Sequence, residues 1–174
     1  GGWSVGVLNA VTAQESARVL RGMVTDTETI APLSHYSVLS LKKDFDEGNT
    51  SVGLMLTGVE RVLDGTGFAP LLHQNAYTGG LEYTQRFGDG RYNLEAKLFG
   101  STVHGSAEAI DLTQRASQHY FQRPGADYLD YDPTRTHLEG LGAQLFLGGD
   151  WGKHWRAAIG GDTRTPGFEA NDLG

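Results

Sequence analysis

The chain has 174 residues, with 14 Lys plus Arg against 21 Asp plus Glu and a net charge of −7. That is about one domain of acidic chain, which excludes the basic face a nucleic-acid binder carries. The absence of cysteine excludes disulfide scaffolds, thiolate zinc sites and thiol nucleophiles. Glycine is 25 of 174, about twice the usual share. It is interleaved with Val, Leu, Tyr and Phe without a collagen-like period, so the chain is expected to fold. No apolar run approaches the roughly 20 residues of a spanning helix. A mean hydropathy of −0.35 reads as soluble, but a membrane β-barrel hides its apolar face in alternation and never shows it as a run.

The opening Gly1-Gly2-Trp3 carries no basic segment and no apolar leader, so no signal peptide is read there. The chain is expected to be a mature form or an excerpt of a longer one. Seven segments then alternate at period two, the strand period: 3–12, 36–45, 51–61, 76–87, 91–103, 138–148 and 155–164. In the first, Trp3, Val5, Val7 and Val11 share a face with Asn9. Leu39, Leu41 and Phe45 follow, opposed by Ser40, Lys42 and Asp44, and then Val52, Leu54 and Leu56 oppose Gly53, Met55 and Thr57. Tyr77 to Phe87 alternates most cleanly, with Leu81, Tyr83 and Phe87 on one phase and Glu82, Thr84 and Arg86 on the other. Tyr92, Leu94, Ala96 and Leu98 come next, followed by Leu141 to Leu147, and Trp155, Ala157 and Ile159 close the series.

Short turns at Asp46–Thr50, Gly88–Gly90 and Gly149–His154 carry the Gly, Asn and Asp that hairpins need for positive φ. The connections 13–35, 62–75 and 104–137 are long, and all lie at the other end. Strands of about 10 to 13 residues fit a tilted crossing of a bilayer core, and loop asymmetry of this kind is the habit of bacterial outer-membrane barrels. Phe45, Phe87, Tyr92 and Trp155 stand on the apolar phase beside short turns, with Trp3 level with them, like an aromatic girdle. The other phase carries Lys42, Asp44, Glu60, Glu82, Arg86, Glu95, Lys97, Arg156 and Asp162, expected to face a wet lumen and form cross-strand ion pairs.

The fold class read from this pattern is all-β: an antiparallel up-and-down meander, a partial or complete β-barrel, with one short helix in a long loop. A soluble antiparallel sheet with one face on a core and one in water gives the same alternation. Seven strands are awkward for a barrel, because bacterial barrels close with an even number. Either strands lie outside these residues or a partner covers the open edges.

Several stretches resemble one family: Gly2-Trp-Ser-Val-Gly-Val-Leu-Asn-Ala-Val-Thr12, Leu63-Asp-Gly-Thr-Gly67, Asn75-Ala-Tyr-Thr-Gly79, Tyr120-Phe-Gln-Arg-Pro124, Asp132-Pro-Thr-Arg-Thr136 and Pro166-Gly-Phe-Glu-Ala-Asn-Asp-Leu-Gly174. Together they resemble the β-barrel region of the DUF5916 family of bacterial outer-membrane proteins, over nearly the whole chain. Members of that family often place a family 9-like carbohydrate-binding domain before the barrel. None is read in residues 1–174, and the strands are fewer than in a complete family barrel. The resemblance therefore implies one barrel-like domain over 1–174, an excerpt or a shortened relative serving as an accessory subunit. It implies a non-enzymatic protein of the bacterial envelope, in the outer membrane; periplasmic or membrane-complex association is the alternative.

The membrane- or partner-facing residues expected on these grounds are Phe45, Leu54, Leu81, Tyr83, Phe87, Tyr92, Leu94, Leu98, Leu145 and Trp155. Their expected partners are a lipid bilayer or other subunits of a membrane complex, and no nucleic acid. A soluble sheet binding carbohydrate or lipid is a further alternative.

The long loop holds the remaining candidate chemistry. Ser106 to Tyr120 reads as a short helix capped by Ser106, with Glu108, Asp111, Arg115 and His119 on one face and His104 nearby. A metal or acid–base cluster is one reading. An Asp111–Arg115 pair at i, i+4 on a solvated face is the expected one, since no metal-ligand spacing is legible. Three carboxylates in Asp127-Tyr-Leu-Asp-Tyr-Asp132 have the oxygen density calcium uses, without the Gly and distal Glu of an EF-hand. The loop contacts considered for a ligand such as carbohydrate are Tyr120, Phe121, Asp127, Tyr128, Asp130, Tyr131 and Asp132, with packing of the aromatics as the simpler reading. No catalytic residue, cofactor or structural metal is assigned: the six histidines are scattered, and neither a serine-hydrolase elbow nor a phosphate loop occurs.

Overall fold

The computed structural model describes residues 2–151 and 154–170. The strands are β1 (Trp3–Thr12), β2 (Glu15–Arg21), β3 (Val24–Ala31), β4 (Leu33–Phe45), β5 (Thr50–Val62), β6 (Asn75–Phe87), β7 (Tyr92–His104), β8 (His137–Trp151) and β9 (Trp155–Arg164), with one helix, α1 (Ala107–Arg115). Seven of them form a single antiparallel sheet in the order β1-β4-β5-β6-β7-β8-β9. Each long strand is close to its expected range, because side chains of opposite character alternate along it. The turn expected at Gly149–His154 differs: β8 runs on to Trp151, and residues 152 and 153 lie outside the described ones, as do 171–174 of the last family-like stretch.

One departure from the sequence reading concerns topology. The connection 13–35 is not a plain loop, since β2 and β3 pair there as a separate hairpin. Gly22 takes φ +67 at the first central position of its two-residue turn, which a type II′ turn reserves for glycine. Arg21 bonds Glu28 at 2.8 Å across the ribbon. Closure, which the sequence left open, is not reached: the sheet is partial. In an unbroken antiparallel order of seven, the first and seventh strands run the same way, so β1 and β9 cannot close the antiparallel ladder on each other. Both are edges, and every residue of each is exposed.

The tight β6–β7 turn shows why glycine is placed there. Gly88, Asp89 and Gly90 all have positive φ, at 63°, 58° and 78°. Three successive left-handed residues need side chains that tolerate the region.

One face of the sheet carries a core at the long-loop end. Val59, Ala76, Val103 and Leu138 point there from four neighbouring strands, and Ile110 of α1 and Phe121 close over them. Ser106 caps α1 by accepting the Ala109 N–H at 3.2 Å and donates to the Ala69 carbonyl at 2.9 Å, which fixes the helix to the 63–74 connection. After β9 the chain turns back onto the same face. A Cβ at Gly140 would lie 2.2 Å from the Phe168 amide nitrogen, so glycine is what lets residues 165–170 lie flat there. Phe168 meets Phe99 edge to face at 5.0 Å, and the Arg164 guanidinium sits 5.8 Å from both rings.

Candidate functional site

The other face is bare. Register alone places its side chains: Val5, Leu41, Leu54, Leu81, Leu98 and Ala143 are successive partners in one row across six strands. Further rows run parallel to it, such as Val52, Tyr83, Ala96 and Leu145. All ten residues expected to meet membrane or partner stand on this face. Leu81 is 53 %, Leu98 61 %, Leu145 56 % and Trp155 76 % exposed. Phe45 and Phe87 are also exposed, and Leu54, Tyr83, Tyr92 and Leu94 are half-buried by their neighbours. Contiguous exposure of this kind marks a surface made to meet something other than water.

The bare face has two rims of different chemistry. At the short-turn rim Phe45 pairs in register with Thr50, and Phe87 with Tyr92, whose rings stack at 5.2 Å. Lys43 lies 5.3 Å from the Trp3 ring and 5.5 Å from Phe45, a cation–π arrangement that keeps the ammonium at the level of the aromatics. At the long-loop rim the face turns polar. His35 contacts Asn9 at 3.1 Å, and the His104 and His137 rings stack at 5.8 Å. Tyr77 donates to Glu60 at 2.5 Å. Glu60 corrects the sequence reading, which put it on the charged phase. It follows Val52, Leu54 and Leu56 on the bare phase and belongs to this rim.

The covered face is charged toward the short-turn end. Glu82 and Lys97 are direct register partners at 3.4 Å, a cross-strand pair between two of the expected residues; Arg156 also pairs across strands, at 3.2 Å, with Asp150, which was expected in a turn. Lys42–Asp44 and Arg164–Asp162 pair within a strand instead. A polar cleft of about 420 Å³ opens there, with Lys42, Asp44, Arg86 and Glu95 in its lining. Phe99 and Phe146 also point to this face, which the charge pattern did not disclose. Each ring lies over a glycine on the next strand, Phe99 over Gly142 and Phe146 over Gly160.

The long loop separates its candidate residues. Asp111 pairs with Arg115 and accepts the Tyr131 hydroxyl at 2.6 Å, which raises the Tyr131 pKa. Glu108 is exposed, and its pKa is lowered by its own amide N–H and then by the Ser106 hydroxyl. His104 is on β7 and His119 lies beyond α1, so the sequence-level cluster does not assemble. Asp132 accepts the Thr134 hydroxyl at 2.7 Å and amide at 2.8 Å, which lowers its pKa, while Asp130 pairs with Arg135 at 3.2 Å. Among the described residues no group of three His, Asp or Glu is placed to hold a metal ion. Phe121 is in the core. It also lines, with the exposed Tyr128 and Asp130, a cleft of about 460 Å³ against the start of β8. Tyr120, Asp127, Tyr131 and Asp132 do not line that cleft.

Two residues that organise the loop escaped the sequence reading. Gln114 is fully buried, donates to the Asp132 carbonyl at 2.8 Å and accepts the Asp132 N–H at 3.0 Å. Its only sequence signal is the i, i+4 spacing from Ile110. Gln114→Leu is expected to cost about 1–3 kcal/mol, because it strands a backbone donor and acceptor. Denaturant titration checks the cost, and faster exchange of the Asp132 amide checks its origin. Glu169 is the second: it is buried, and its carboxylate meets His119 at 2.7 Å.

These features define a class: an all-β protein built on an open antiparallel sheet, apolar and bare on one face, loop-covered and charged on the other. A family model described as Domain of unknown function (DUF5916) matches residues 1–174, and the chain belongs to that family. No curated protein and no solved structure gives a significant match.

Proposed function

We propose that this chain is part of the wall of a bacterial outer-membrane β-barrel, a non-enzymatic protein whose bare face meets lipid and whose long loops stand on the outer side. The observation that carries the reading is the bare face itself: rows of apolar side chains across all seven strands, exposed, between an aromatic rim and a polar rim. Its dimensions support it. From Thr50, level with the aromatics, to Glu60 is 60 − 50 = 10 residue steps. At roughly 3.3 Å per residue and a tilt of about 40° this gives about 25 Å of height, the apolar band of a membrane barrel. The exposed edges β1 and β9 favour completion by further strands, odd in number, from the same polypeptide or from a partner subunit of a membrane complex.

The test uses the three tryptophans of the chain. In a Trp151→Phe background, Trp3 and Trp155 report the aromatic rim. After reconstitution into vesicles, lipids brominated near the headgroup should quench them more strongly than lipids brominated at the chain ends. Folded protein should also run at a different gel position before and after boiling. A monomer that dissolves without detergent and shows no bromine quenching overturns the proposal.

A further inference from the structure

The His119 side chain is only 4 % exposed, yet both its ring nitrogens face acceptors. Nδ1 lies 2.8 Å from the Pro166 carbonyl, and Nε2 lies 2.7 Å from the Glu169 carboxylate. Both acceptors belong to one segment, residues 165–170, which crosses the covered face after β9. A neutral imidazole has one N–H and can satisfy one acceptor; an imidazolium satisfies both. Other anchors of the segment do not titrate near neutrality: the Thr165 N–H donates to the Leu141 carbonyl at 2.8 Å and its hydroxyl accepts the Leu141 N–H at 2.9 Å, the Glu169 N–H donates to Ser101 at 2.8 Å, and Phe168 packs on Phe99.

We propose that residues 165–170 form a pH-operated strap over the loop end of the covered face, clamped by protonated His119 and released when His119 loses its proton. Loss of that proton sets a lone pair on Nδ1 or Nε2 against an acceptor oxygen, which favours withdrawal of the segment. Withdrawal of the segment uncovers Gly140, Ser101 and Phe99 on that face.

Among the described residues, charged side chains on the neighbouring elements are engaged elsewhere or lie on the other face. On the loop, Arg115 is engaged by Asp111 and Arg135 by Asp130. Arg164 of β9 lies over Phe99 and Phe168. His104 of β7 and His137 and Glu139 of β8 stand on the bare phase, behind the sheet. The hydrogen bond to Glu169 is the largest influence on His119; burial opposes it, and the sum raises the pKa above the ordinary histidine value. The clamp is therefore complete below about pH 6.5 and is lost as pH rises through the raised folded-state value. The strap does not depend on whether the bare face meets lipid.

Because the chain has no cysteine, Ala170→Cys takes a single nitroxide label in the full chain. Its spectrum should be immobilised at about pH 5.5, with a mobile component becoming dominant toward about pH 9. In His119→Gln and in Glu169→Gln the mobile component should be present at both values, without the step. A Thr134→Cys label, on the loop but off the strap, should stay unchanged throughout. In the unsubstituted protein, nitrogen NMR of the His119 ring should titrate at the same midpoint as the strap. A wild-type spectrum unchanged with pH, a step that survives in His119→Gln, simultaneous release of the Thr134 label, or a His119 midpoint apart from the strap's each overturns the proposal.

Discussion

If the bare face meets lipid as proposed, Leu81→Arg should lower the stability of the vesicle-reconstituted protein by about 2–4 kcal/mol, the cost of a cation on the lipid face of a barrel near mid-plane. Leu81 sits in the middle of the row that runs from Val5 to Ala143, and it is 53 % exposed with Leu54 and Leu98 as its register partners. An arginine there has no nearby rim to reach, since the aromatics and the polar residues lie at opposite ends of the strands. The adjoining residue is the internal control. Glu82 points to the other face and pairs with Lys97 at 3.4 Å with both side chains partly exposed, so Glu82→Ala should cost under about 1 kcal/mol. Urea titration of the folded fraction in vesicles measures both. Equal small losses would place position 81 in water, and the bare face would then have to meet a protein partner or none.

Ile110→Ala should cost about 2–5 kcal/mol through the cavity it opens. Ile110 is fully buried and is the side chain by which α1 enters the cluster of Val59, Ala76, Val103, Phe121 and Leu138. The loss should be local. The ladders from β4 to β9 do not pass through α1, whereas the Gln114–Asp132 bonds require α1 to be seated. Proteolysis at the exposed Arg115 and Arg123 should therefore accelerate before the strands lose hydrogen-exchange protection. Leu112→Ala, on the same helix but 45 % exposed, should change stability by no more than about 0.5 kcal/mol. If the two substitutions cost the same, the loop is not anchored by this cluster.

What the sequence disclosed and what it hid divide along a physical line. Leu81 beside Glu82, or Leu98 beside Lys97, states its face locally, because a strand inverts its side chains at every step. The hairpin of β2 and β3 gave no such signal: Thr25, Thr27 and Thr29 alternate with Asp26 and Glu28, so both faces are polar and hydrophobicity has no period to show. Glu60 was misassigned where an apolar phase ends in a polar rim, since charge there marks height along the strand and not a change of face. The Ser106 cap and the Asp111–Arg115 pair were legible because each lies within one helical turn. His119 and Glu169 are 50 residues apart, and Gln114 and Asp132 are 18 apart; only the folded sheet brings them together. The same holds for Phe99, whose place over Gly142 depends on register between two strands.

The like direction of the two outermost strands has a consequence for self-association. In a barrel of the proposed kind, two copies set with the same polarity would meet along seams in which neighbouring chains run in parallel, at odds with the antiparallel ladders among the described residues. Turning one copy over would restore the alternation but would send its helix-bearing loops to the opposite side of the bilayer. A homodimeric ring is thus a poor solution for this architecture, and on the proposed barrel reading the wall is completed by a different set of strands, uneven in count, that restores the alternation at both flanks.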